Sequence, residues 1–290
     1  MSSDEDREQF HEPYGTLNYN SYLRVPELLE LQSPESEPAA HDELLFIVIH
    51  QAYELWFKQI LFELDSVAEC LDRDDPAEAT RLLGRVHQIE SLLVHQIHIL
   101  ETMTPRDFLS FRSALNPASG FQSLQFREVE FVTGMKTRGV MKALQTNPDD
   151  VERLENRLTE PSLRVRFYRM LKRQGFEVVV PPDEEDLADR DCEHNLEALL
   201  PIYAQPERYY RLYALAEALV DHDQNILLWR FHHVRVVERL IGTKMGTGGS
   251  AGVKYLEKTL GKRAFPQLWA VRGLLSDEEF YGTSRGPTKY

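Results

Sequence analysis

The sequence predicts an all-α protein, a bundle of long helices accompanied by several short ones. Three observations carry this. Apolar residues recur at helical spacing over two very long stretches, near residues 42–71 and 207–241. Cap-and-proline signals stand where helices should begin, and strand-like alternation bounded by turns is almost absent.

Residues 1–12 are polar and are expected to be disordered, leaving 13–290 as a single all-helical domain. A long helix is expected over residues 42–71. It is apolar on nearly all sides around 44–49, which predicts an interior position. Asp75-Pro76 combines an N-cap with proline at the first helical position and opens a helix running to about Met103. Thr104-Pro-Arg-Asp107 repeats the signal in a capping-box pattern. Shorter helices are expected between Leu124 and Gly175, and a surface connection over 178–191. Pro206 opens the longest pattern, Glu207 to about Ile241, and Gly242 ends it. A glycine-rich loop at 246–252 and one or two closing helices complete the chain.

The 290 residues are 42% hydrophobic and 28% charged, as in an ordinary globular protein, with a formal net charge of −14. That charge argues against a nucleic-acid partner. The acidic start does not read as a signal peptide, and the apolar run at 44–49 is too short to span a bilayer, so no membrane partner is expected. Two cysteines make no disulfide framework, and a reducing cytoplasm is the expected location.

Ten histidines in an acidic helical chain raise the question of a metal. Di-iron bundles need paired Glu-x-x-His motifs, and the only such spacing is Glu8 to His11, at the polar start. There is no His-Glu-x-x-His motif. His95 and His98 are one turn apart and could share a metal, although a solvated or hydrogen-bonded pair is the simpler account. His232 and His233 diverge on a helix. Steps of three and four from His233 reach Ile226, Trp229, Val236, Val237 and Leu240, whereas those from His232 reach Arg235 and Arg239. A neutral imidazole on an apolar wall suits an axial haem ligand, and equally a satisfied core histidine. His50 shares a face with Phe46 and needs a polar partner there, from the protein or from a ligand. Arg112, between Phe111 and Leu115, is either a carboxylate fork or half of an internal ion pair. The loop at 246–252 lacks the ending of a phosphate loop and reads better as a flap over a pocket.

His41-Asp-Glu-Leu-Leu-Phe-Ile-Val-Ile-His-Gln-Ala-Tyr-Glu-Leu-Trp-Phe-Lys58 resembles the distal-side helix of tryptophan 2,3-dioxygenases. Ser119-Gly-Phe-Gln-Ser-Leu-Gln-Phe-Arg127, preceded by Leu100-Glu-Thr-Met-Thr104 and Phe111-Arg112, resembles a second block of that family. Trp229-Arg-Phe-His-His233 through Gly246-Thr-Gly-Gly-Ser-Ala-Gly252 resembles its proximal helix and active-site loop. Tyr19 and Tyr22 match its N-terminal tyrosine motif.

The resemblance implies haem b with His233 as the axial iron ligand, and Trp229 and Gly246 beside the cofactor. It implies cleavage of the indole C2–C3 bond of L-tryptophan with O2 to give N-formyl-L-kynurenine, with His50 as hydrogen-bond partner of the indole N–H. It further implies a substrate site built from Phe46, Ile47, Val48, Ile49, Phe108, Leu115 and Ser119, with Arg112 on the carboxylate and Thr247 on the head group. A homotetramer, a dimer of dimers, is implied too, with Tyr19 and Tyr22 entering a neighbouring subunit's site. Asn20, Ile97 and His98 depart from the family pattern, where glycine, an aromatic residue and serine are usual. Two rival readings remain: a haem monooxygenase that forms an oxindole from tryptophan or a methylated analogue, and a non-catalytic haem sensor. A cofactor-free helical interaction protein is the blandest alternative.

Overall fold

The structure, a computed structural model, describes residues 17–143, 147–183, 192–246 and 252–275. Among these, the regular structure is helix and short 3-10 turns. Helices α1 (Tyr19–Leu23) and α2 (Val25–Leu29) precede the long α3 (His41–Asp72) and α4 (Pro76–Leu100). Then come α5 (Pro105–Phe111), α6 (Leu124–Thr133), α7 (Pro148–Thr159), α8 (Leu163–Arg173) and α9 (Cys192–Ala204). The second 32-residue helix, α10 (Tyr210–Ile241), is followed by the short α11 (Val253–Glu257) and α12 (Pro266–Ala270). The expectations for residues 1–12, 184–191 and 247–251 fall outside the described residues.

The frame is a three-helix stack in which α4 lies between α3 and α10, and α6 and α8 pack on α3. Asp75 caps α4, accepting from Glu78 N at 3.1 Å with Pro76 behind it, and Asp74 in the left-handed region (φ 60°) reverses the chain in three residues. Leu64, Val67 and Leu71 of α3, Leu83, Val86 and Leu93 of α4, and Leu215 and Leu219 of α10 are almost fully buried. Each such side chain contributes about 1.5–3 kcal/mol over its exposed state.

Four differences from the sequence reading have physical reasons. The first is that α4 ends at Leu100, three residues early, because residues 101–103 form a tight turn. In addition, α10 begins at Tyr210, not Glu207, since residues 206–209 make a turn of their own. The stretch 178–183 is not simply surface. Asn195 of α9 closes on the Val179 backbone with two 2.8 Å bonds, and Asp183 accepts from Lys136 Nζ and Ser162 N at 2.9 Å. Finally, α3 is not wholly interior. Leu44, Val48, Leu55 and Phe62 form an exposed stripe at helical spacing, and Leu92 and Ile99 of α4 and Leu228 and Phe231 of α10 are exposed as well.

The C-terminal segment is tied to α10 by one buried carboxylate. Asp223 accepts from the backbone N–H of Ala264 (2.8 Å) and Phe265 (2.9 Å) and from Trp269 Nε1 (3.2 Å). These bonds fix residues 264–269 against α10.

Candidate active site

A cavity of about 550 Å3 opens between α3, α5, α6 and α10. Its walls are mainly aromatic and aliphatic. Phe46 packs at a tilt against His50 with centroids 4.1 Å apart and meets Phe108 and Phe111 at 5.7 and 5.6 Å. Deeper in, Tyr53, Phe57 and Phe126 surround Trp229, with Phe126 nearest at 4.8 Å. Tyr53 donates its hydroxyl proton to Leu93 O at 2.9 Å, and burial pushes its pKa up to about 12.

Two imidazoles line the cavity, on different helices. His233 of α10 has no hydrogen-bond partner among the described residues, and its ring lies parallel to Trp229, 5.2 Å apart with planes 12° from each other. Burial pulls its pKa down to about 4, and the charges of His50 and Arg127 act in the same direction. It is therefore a neutral base with a free lone pair. On α3, His50 Nδ1 lies 2.7 Å from Phe46 O, four residues back on the same helix. A carbonyl only accepts, so Nδ1 carries the proton and Nε2 presents a lone pair. Burial holds His50 below the ordinary imidazole value against the effect of that bond.

Arg112, at the C-cap of α5, donates from Nη2 to Met245 O at the start of the glycine-rich loop. Across the loop, Gly252 has φ 59°, and a Cβ there would stand 2.7 Å from Lys244 O. Glycine is the residue that lets the loop's two ends meet. Leu115, Ser119 and Gly246 also line the cavity. Thr247 lies outside the described residues.

Ile47, Val48 and Ile49 are not on the cavity wall. At about 100° per residue, Phe46 and His50 share a face while the three between them turn away. Ile49 enters the core, Val48 is exposed, and Ile47 is half-buried. Tyr19 and Tyr22, 74% and 70% exposed on α1, stand apart from their own chain's cavity.

The sequence reading missed a buried triad. Glu130 of α6 accepts from Arg127 Nη1 and from Arg230 Nη2, both at 2.6 Å, and both arginines line the cavity. Burial alone would raise the Glu130 pKa, but the two guanidinium groups hold it below the usual value. Arg127 Nε and Trp229 Nε1 are buried without hydrogen-bond partners. Glu54, also on the wall, accepts from Ser123 Oγ at 2.6 Å and Gln125 Nε2 at 2.8 Å. Arginine and glutamate three apart on an apolar helix were the available signal for the triad, but Arg230 joins it only through the fold.

Fold and cavity together define an all-helical protein with a deep, aromatic ligand site lined by two neutral imidazoles and three arginines, Arg112, Arg127 and Arg230. The chain belongs to the tryptophan 2,3-dioxygenase family, whose model matches residues 1–177 and 171–275. It is 46% identical over 271 residues to the tryptophan 2,3-dioxygenase of Nocardioides sp., covering 92% of this chain and 97% of that one. The proteins of that name from Herpetosiphon aurantiacus and Bacillus thuringiensis are 46% and 42% identical over 263 residues. They cover 88% of this chain and 97% and 92% of their own lengths.

Proposed function

We propose that this chain is a haem-dependent dioxygenase that cleaves the indole C2–C3 bond of L-tryptophan with O2, yielding N-formyl-L-kynurenine. The observation that carries the reading is His233: a neutral, unpaired imidazole on an apolar wall, held parallel to Trp229, in a cavity that His50 also lines. The donor set fits haem b. His233 would hold the iron through a ring nitrogen, Trp229 and Gly246 would border the group, and the unpaired N–H groups of Arg127 and Trp229 would suit a large group bearing acceptors. When bound, the haem iron supplies the activation of dioxygen.

The protein's own part is positioning. His50 Nε2 accepts the indole N–H, because Nδ1 is already committed to Phe46 O. Phe46 and Phe108 exclude water from the indole. Arg112 turns its planar fork to the substrate carboxylate, and Thr247 assists at the head group. Leu115 and Ser119 complete the floor. Ile47, Val48 and Ile49 support the site only by setting the helix that carries Phe46 and His50.

The exposed stripe on α3 and its neighbours fits burial in a homotetramer, a dimer of dimers. In that assembly the exposed Tyr19 and Tyr22 enter a neighbouring subunit's site. Among the described residues no helix is long and apolar enough to cross a membrane.

The test is aerobic turnover. Haem-loaded protein is reduced under nitrogen and given air and L-tryptophan, and product mass and absorbance are followed. A gain of two oxygen atoms is expected. A gain of one, with reductant consumed, would move the chain to oxindole formation. A Soret band without product would leave a haem sensor, and a colourless protein that takes up no haem would remove the cofactor.

A further inference from the structure

We propose that His98, Glu101 and His232 form a separate site for a divalent transition ion of the Zn2+ class, bridging the end of α4 to α10. His98 Nδ1 and Glu101 Oε2 are 3.0 Å apart, one turn from each other. From α10 the His232 ring meets His98 edge to face, with centroids 5.0 Å apart and planes at 85°. One ligand atom from each of the three residues lies within 4.8 Å of the other two.

Two imidazoles and one carboxylate are the donor set of Zn2+ and its neighbours, not of Mg2+ or Ca2+, which take oxygen ligands. A tetrahedral zinc with bonds of about 2.0–2.1 Å separates its ligand atoms by about 3.3 Å. The widest pair must therefore close by at most about 1.5 Å, a small side-chain adjustment. His98 is 46% and Glu101 29% exposed, so an ion reaches them from solvent and water completes its coordination.

None of the three lines the cavity. His232 follows the helix round from His233 and faces α4 instead. His95, the sequence neighbour that spacing pairs with His98, is engaged elsewhere: its Nδ1 lies 2.7 Å from Ser91 O of its own helix. The second imidazole thus comes from another helix, and an ion held there clamps α4 to α10 one residue from His233.

The experiment is equilibrium dialysis of tag-free, haem-loaded protein against micromolar Zn2+, with zinc per chain counted by elemental analysis and melting temperature recorded. One zinc per chain is expected, raising the melting temperature. His98→Ala should weaken binding at least tenfold and abolish the thermal shift while keeping the Soret band. His95→Ala should bind as the unaltered protein does, and Mg2+ should give no shift. Glu101→Gln serves as a second variant should His98→Ala fail to fold, and should weaken zinc as well. Zinc binding unchanged in His98→Ala or in Glu101→Gln, or no saturable zinc at all, overturns the proposal. The zinc count is independent of any turnover by the haem site.

Discussion

Trp229 and His233 lie one helical turn apart on α10 with their rings parallel, 5.2 Å between centroids. The indole restrains the imidazole as its neighbour on the same helix face, so the direction of the ring nitrogens is set before any ligand arrives. Trp229→Ala should therefore free the His233 ring as well as open a void. We expect a loss of about 3–5 kcal/mol in urea unfolding and a lower haem-to-protein absorbance ratio. Trp229→Phe, which keeps an aromatic ring, should retain most of both.

The depressed pKa values of His233 and His50 set a pH dependence. Unfolded imidazoles titrate near 6.5. Below that pH the unfolded chain takes up protons that the folded chain refuses until about pH 4 at His233. Haem-free protein should thus lose stability as pH falls from about 7 to 5, measured by urea titration at each pH. His233→Leu should flatten that slope. An equal slope in the variant would assign the effect to other groups.

Glu130 lies between two buried arginines, Arg127 and Arg230. Glu130→Gln leaves Arg127 and Arg230 without their counter-charge, and a cost of about 3–5 kcal/mol is expected from chemical denaturation. The stability that Glu130 itself contributes is present above its unfolded pKa and is lost as pH falls through its lower folded value.

Gly252→Ala should be far more harmful than Gly242→Ala. Both glycines have positive φ, but only at Gly252 would the new methyl meet a carbonyl oxygen, Lys244 O, at 2.7 Å. Steady-state kinetics should show KM for tryptophan raised about tenfold or more by Gly252→Ala, with Gly242→Ala costing mainly stability.

Arg112→Lys keeps the charge and loses the planar fork. Tryptophan affinity should fall although net charge is unchanged, as read by the substrate-induced shift of the Soret band. Unaltered affinity would remove Arg112 from the carboxylate.

Much of the frame was legible because its signals are local. Asp75-Pro76 and the Thr104–Asp107 box cap α4 and α5 as their sequences imply. The long apolar patterns became α3, α4 and α10. By contrast, α9 went unread, since Pro201 interrupts it and an acidic stretch leads into it. In the cavity, Phe46, His50, Trp229 and His233 were visible as helix-face pairs. The position of residues 47–49 followed from that same periodicity and contradicts a contiguous reading of the motif as wall. Arg230 and the His98–His232 contact could not be read, because each needs a partner a hundred or more residues away in the chain.

The bond from Arg112 to Met245 O has a thermodynamic consequence. The guanidinium is already partly desolvated and immobilised by a neutral acceptor of its own chain. On the role proposed for Arg112, a carboxylate arriving there performs an exchange, replacing a carbonyl with an anion, and need not freeze a freely rotating side chain. The affinity gained is the difference between two hydrogen bonds to one donor. A zwitterionic amino acid is thereby favoured over an uncharged indole, which has nothing to offer in the trade.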